Sequence, residues 1–153
     1  MKISFLADHP EFTATLALWL LDHWRYMLPE DTLESRIEKL WAHINYDKLP
    51  IAWIAHNGAE VFGTAALRKH DLADHQNLSP WLGGVYVAPQ YRIQGIGERL
   101  CSAVEQHAKN VMGADTLYLF TLDKQVWYQR MGWNILQPCN WNGRMGDILL
   151  KKL

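Results

Sequence analysis

The chain has 153 residues, 49% of them hydrophobic and 20% charged, with a formal net charge of -1. That balance supports one compact unit with a sizeable core and excludes disorder. It also excludes a sequence-independent grip on nucleic acid, which needs a basic face.

The start "MKISFLADHPEF" is interrupted by Asp8 and Glu11, so neither a signal peptide nor a membrane partner is expected. The only cysteines, Cys101 and Cys139, are too few for a disulfide framework. A reducing, cytoplasmic location is the expectation. "KISFL" reads as a first strand. Pro10 then opens a helix carried by Phe12, Leu16, Trp19, Leu20, His23 and Trp24, which Pro29 ends. Asp31 with Glu34 reads as a capping box before a second helix through Leu33, Ile37, Leu40, Trp41 and Ile44.

After Pro50 the period changes to that of strands. "IAWIAH" and "EVFGTAALRK" flank an Asn57-Gly58 hairpin signal. "HDLADHQNLSP" is a polar loop and "WLGGVYVA" a third strand. A helix follows over Gly97–Met112. "DTLYLFTL" is apolar on both faces, as in a central strand. "KQVWYQRM" is a short helix ended by Gly132. "WNILQP" and "GDILLKKL" are the last strands, joined by "CNWNGR". The order is α/β with a mixed sheet, and the unit around residues 82–120 supplies a parallel strand pair.

The stretch "VYVAPQYRIQGIGERL" places Gly95 and Gly97 at a helix start, where glycine weakens the helix. A helix start offers unpaired N–H donors and a positive dipole end. Glycines let an anion approach those donors, and Arg92 adds a cation suited to phosphate. A diphosphate cradle is the direct reading. A P-loop is excluded because Glu98 and Arg99 follow Gly97 where Lys-Ser/Thr is needed. A dinucleotide fingerprint fails at Leu100. The histidines form no metal constellation, so no metal is expected.

Arg92-x-x-Gly95-x-Gly97 after "VYVAP" resembles the acyl-CoA-binding segment of the GNAT N-acetyltransferases. "WYQRMGW", Trp127 to Trp133, resembles the aromatic-Tyr-x-x-x-Gly-aromatic signature of the same family. The element order matches that fold over nearly the whole chain. The resemblance implies a single GNAT domain over residues 1–153. Its sheet would be mixed and mostly antiparallel, with a splayed parallel strand pair and flanking helices. It implies acetyl-CoA as cosubstrate and a small-molecule or peptide amine as acceptor. A homodimer is frequent in such proteins. The alternative is a non-catalytic acyl-CoA sensor or scaffold.

By position, the resemblance gives the pantetheine arm to Val85, Tyr86 and Val87, with Gly83 and Gly84 starting the splay. It gives the pyrophosphate to Arg92, Ile93, Gln94, Gly95, Ile96 and Gly97. Thr121 stands where many members carry a pantetheine-binding Asn, and Trp127 precedes the signature Tyr. Ile93 replaces a common glycine. Tyr128 takes the role of acid toward the departing thiolate, and a backbone N–H near Val85 stabilises the oxyanion. For the general base, Asp71 and His75 in the polar loop are the candidates, beside a water chain. Glu30, Asp31 and Glu34 could draw in a cationic amine, and Trp24, Tyr26 and Trp81 could wall its groove.

Overall fold

A computed structural model describes residues 1–153. Seven strands form one sheet in the order β1-β2-β3-β4-β5-β7-β6. They are β1 Lys2–Phe5, β2 Ile51–His56, β3 Val61–Arg68, β4 Trp81–Val87, β5 Thr116–Thr121, β6 Asn134–Trp141 and β7 Arg144–Lys152. Every neighbouring pair is antiparallel except β4 and β5. The helices are α1 Thr13–Trp24, α2 Leu33–Trp41, α3 Ile96–Asn110 and α4 Gln125–Arg130. This is the expected mixed, mostly antiparallel architecture. No helix is long and apolar enough to cross a membrane.

Strand alternation divides the core between two faces. On one, Leu100, Cys101, Val104 and Ala108 of α3 pack on Leu67, Leu82, Leu117, Leu119 and Leu149. On the other, Leu16, Ala17 and Leu20 of α1 and Leu40 of α2 pack on Ala52 and Ile54. A smaller cluster of Leu72, Trp81, Cys139 and Ile148 extends this second face towards β6. Each fully buried leucine contributes roughly 1.5–3 kcal/mol.

Several local expectations need correction. Helix α1 begins at Thr13, because Pro10 opens a separate 3₁₀ turn, Pro10–Phe12, whose Pro10 carbonyl accepts from Thr13 Oγ1 at 2.7 Å. The capping box of α2 is Thr32 with Ser35, not Asp31 with Glu34. Ser35 N–H donates to Thr32 Oγ1 at 3.1 Å, and Thr32 N–H donates to Ser35 Oγ at 2.9 Å. Asp31 is drawn instead to the buried Arg36 and to Lys39, so it is no free attractor for an amine.

Strand β5 is covered more deeply on one face than on the other. Leu117, Leu119 and Thr121 are buried, while Tyr118 and Phe120 are half-buried. The β6–β7 hairpin runs further than the sequence suggests. Asn142 and Gly143 at its tip both have positive φ, 49° and 83°, as a two-residue type I′ turn requires.

Candidate active site

The site begins where β4 leaves β5. The two strands share one register pair, Trp81 with Tyr118. Beyond it β4 passes from buried Trp81, Leu82 and Gly83 to half-buried Gly84, Val85, Tyr86 and Val87. The cause is a bulge. Thr64 pairs with Tyr86 but Ala66 pairs with Gly83, so β4 spends one residue more than β3. Gly84 carries the left-handed conformation, φ 58°, that bends the strand. Val85 and Val87 line the α3 face of the opening, and Tyr86 turns its ring towards Trp19 and His23 of α1.

The loop after β4 presents backbone donors. The N–H groups of Ile93, Gln94 and Gly95 donate to nothing within the chain, and α3 makes its first bond only from Arg99 N–H to the Gly95 carbonyl, 3.2 Å. Positive φ at Ile93 (62°) and Gly95 (77°) curves these successive groups into a concave nest suited to an anion. The backbone at Ile93 is therefore not ordinary. A β-branched residue, fully exposed, holds a conformation that favours glycine.

The two glycines serve different ends. Gly95 supplies the turn into α3, and its Cβ position is open, with Glu98 Oε2 nearest at 3.6 Å. Gly97 is buried, and a Cβ there would lie 2.9 Å from the Trp127 ring. It is small where α3 approaches α4. Ile96 beside it is anchored in the core, and Gln94 and Arg92 are exposed. Arg92 folds back, its Nε–H donating to the Val87 carbonyl at 2.8 Å and its guanidinium 5.5 Å from the Tyr86 ring centre. A cavity of about 390 Å³ opens beside the loop, lined by Met1, Phe62, Tyr91, Gln94, Ile96 and Arg99.

Tyr128 belongs to α4 and to the core on the α3 face of the sheet. Its ring packs on Trp127 and Trp133, with only 8% of the residue exposed. Burial pushes its pKa upwards, and the Cys101 and Asp71 charges add to that. The phenol therefore stays protonated. Thr121 accepts the Lys124 N–H at 3.0 Å, which occupies its oxygen at the start of α4. Its hydroxyl proton and a second lone pair are left for a pantetheine.

Asp71 lies on the opposite face of β4. Its carboxylate oxygens are 3.1 and 3.3 Å from where a Cβ on Gly83 would be. Arg68 Nη1 donates to Asp71 Oδ1 at 2.8 Å, and Arg68 Nε donates to His43 Nε2 at 2.9 Å. Sequence reasoning missed both partners. The one available signal was a cation ending the apolar run "VFGTAALR", three residues before Asp71. His75 is drawn elsewhere, its Nε2 3.2 Å from Gln137 Nε2 on β6, with Nδ1 buried and unpartnered.

Trp24, at the end of α1, and Tyr26, just beyond it, meet the β6–β7 hairpin. Trp24 meets Trp141 edge-on at 6.4 Å, Trp141 meets Phe120 at 6.0 Å, and Arg144 lies 4.8 Å from the Tyr26 ring centre. Trp81 is no wall residue. It is wholly buried and donates its indole N–H to the Leu78 carbonyl at 2.7 Å.

A splayed strand and a nest of free N–H groups suited to an anion thus follow one another along β4 and the loop after it. The chain belongs to the GNAT acetyltransferase family: the profile of the Acetyltransferase (GNAT) domain matches residues 49–135. It is an acetyl-CoA-dependent N-acetyltransferase of that family. The structure is similar to that of aminoglycoside 6'-acetyltransferase type Ii, with 24% identity and a TM-score of 0.75 over 99% of this chain and 97% of that one. An aminoglycoside 6'-N-acetyltransferase complexed with coenzyme A superposes with a TM-score of 0.74 at 22% identity, over 99% and 97% of the two chains. A GNAT family acetyltransferase from Elizabethkingia anophelis with acetyl-CoA bound gives 0.57 at 21% identity, over 83% and 88%. No curated protein matches in sequence.

Proposed function

We propose that the chain acetylates a small-molecule primary amine by direct attack on acetyl-CoA in a complex holding both substrates. One observation supports this reading: β4 parts from β5 close to Gly83, against which Asp71 lies, while Tyr128 is buried on the α3 face of the sheet. In this reading the diphosphate takes the N–H groups of Ile93 to Gly97 and the Arg92 guanidinium, which leaves the Val87 carbonyl. That frees the edge of Val85, Tyr86 and Val87 for the pantetheine arm. Trp127 and Thr121 flank the arm from α4.

The amine nitrogen attacks the thioester carbon, and a C–N bond forms as the carbonyl oxygen becomes an oxyanion. A backbone N–H near Val85 receives that charge. The bonded nitrogen is now strongly acidic and gives its proton to Asp71, directly or through water. The C–S bond then breaks, and the Tyr128 hydroxyl donates to the leaving sulfur. The thiolate is desolvated in the same opening, so its basicity rises alongside that of the phenol. His75 has no part in this sequence, since Gln137 holds it at β6. A small acceptor rather than a polypeptide is in keeping with the aminoglycoside acetyltransferases of similar fold. We read residues 1–153 as one catalytic unit and place it in the cytoplasm, in keeping with two free, buried cysteines.

The test is release of coenzyme A thiol across a panel of aminoglycosides, polyamines, arylalkylamines and peptides. At least one small amine should be turned over. Tyr128→Phe should then lower kcat about a hundredfold while the KM for acetyl-CoA stays within about twofold. Tight acetyl-CoA binding without turnover of any amine would favour a sensor, and normal turnover by the variant would remove Tyr128 from the chemistry.

A further inference from the structure

We propose that Arg68 and His43 are positioning residues that hold the Asp71 carboxylate at the mouth of the β4–β5 opening. The proposal rests on the reading of Asp71 as the group that takes up the amine's proton. Asp71 belongs to the loop between β3 and β4, and a loop has no register of its own. Its one ion-pair partner is Arg68, the last residue of β3. A strand residue thus passes the fixed position of the sheet to a loop carboxylate.

Arg68 is itself aimed from behind. His43 Nδ1–H donates to the Lys39 carbonyl at 2.6 Å, which sets the tautomer. The lone pair on Nε2 then accepts the Arg68 Nε–H at 2.9 Å. Only a neutral imidazole can do both, since an imidazolium has two donors and no acceptor. Burial and the Arg68 charge both keep this ring neutral. The sheet leaves room for the arrangement. A Cβ at Gly83 would lie 2.8 Å from Arg68 Nη1, and one at Gly84 would lie 3.0 Å from Nη2. The glycines that bend β4 therefore also seat the guanidinium. Four groups in series, the Lys39 carbonyl, His43, Arg68 and Asp71, run from α2 to the loop beside β4.

The experiment compares Arg68→Met, Arg68→Lys, His43→Phe, His43→Gln and Asp71→Asn by steady-state kinetics on the best amine, with melting temperatures. Arg68→Met and His43→Phe should each lower kcat about tenfold or more, with the KM for acetyl-CoA within about twofold. Arg68→Lys should not rescue, because lysine lacks the fork that reaches both partners. His43→Gln should recover most of the rate, because its amide oxygen accepts the Nε–H. In the Asp71→Asn background, Arg68→Met should cost nothing further.

A slow Asp71→Asn beside normal Arg68→Met and His43→Phe would overturn the positioning proposal alone. An equal loss from Arg68→Met in both backgrounds would overturn it too. Normal turnover by Asp71→Asn would remove the base reading, and the proposal with it. If Arg68→Met does not fold, the contrast between His43→Phe and His43→Gln decides, and equal rates in those two count against the proposal.

Discussion

Ile93 concentrates at one residue what distinguishes this cradle. An exposed, β-branched side chain is held at φ 62° in the turn that curls the N–H groups together. Such strain costs roughly 1–2 kcal/mol and persists where the surroundings demand the conformation. Ile93→Gly should therefore raise the melting temperature by about 2–4 °C, read by thermal unfolding. His43 supplies a second residue-level test. Its pKa is depressed from 6.5 to about 4, first by burial and then by the Arg68 charge. The unfolded chain takes up a proton below pH 6.5, whereas the folded site does not until about pH 4. This site's contribution is complete above pH 6.5 and is lost as pH falls towards about 4, a difference of roughly 3 kcal/mol. His43→Gln should flatten that part of the stability–pH curve in denaturant titrations.

At the scale of elements, α3 and α4 meet through Gly97 and Trp127. From the sequence, Gly97 belongs with Gly95 as a phosphate-clearing residue, because both stand at a helix start. Only the packing separates them. Gly97→Ala should destabilise the protein by about 1–3 kcal/mol, since the ring of Trp127 cannot yield 2.9 Å of approach freely. Adding Trp127→Leu should recover part of that loss in a double-mutant cycle. The cap of α2 shows the same limit. Asp31 and Glu34 have capping-box spacing, but the buried Arg36 competes for Asp31, and Thr32 with Ser35 closes the helix start instead.

On the whole-molecule scale, aromatic contacts join elements far apart in sequence. The end of α1 meets the tip of the β6–β7 hairpin through Trp24 and Trp141. An aromatic contact of this kind is worth about 0.5–1.5 kcal/mol, so Trp141→Ala should raise the amine KM roughly two- to tenfold. The acetyl-CoA KM should stay put, because the proposed cofactor site lies along β4 and the loop before α3. Equal changes in both constants would mean that the hairpin supports the sheet rather than the acceptor.

The sequence alone determined the order of strands and helices, the parallel pair, and the cradle after β4. Those features are local, written in hydrophobic period, in Asn57-Gly58, and in the spacing Arg92-x-x-Gly95-x-Gly97. Tyr128 was singled out only by the resemblance of "WYQRMGW" to the family signature, and its part in the chemistry is proposed. Tertiary structure alone decided which loop residue faces the opening. Asp71 and His75 look equivalent in "HDLADHQ", yet Arg68 draws one to the splayed strand and Gln137 holds the other at β6. It also decided the part played by His43, which joins Arg68 across 25 residues by one hydrogen bond. Hydrogen bonds between distant residues leave no periodic trace in a chain. They exist only once the sheet has brought β3, the end of α2 and the loop after β3 to one place.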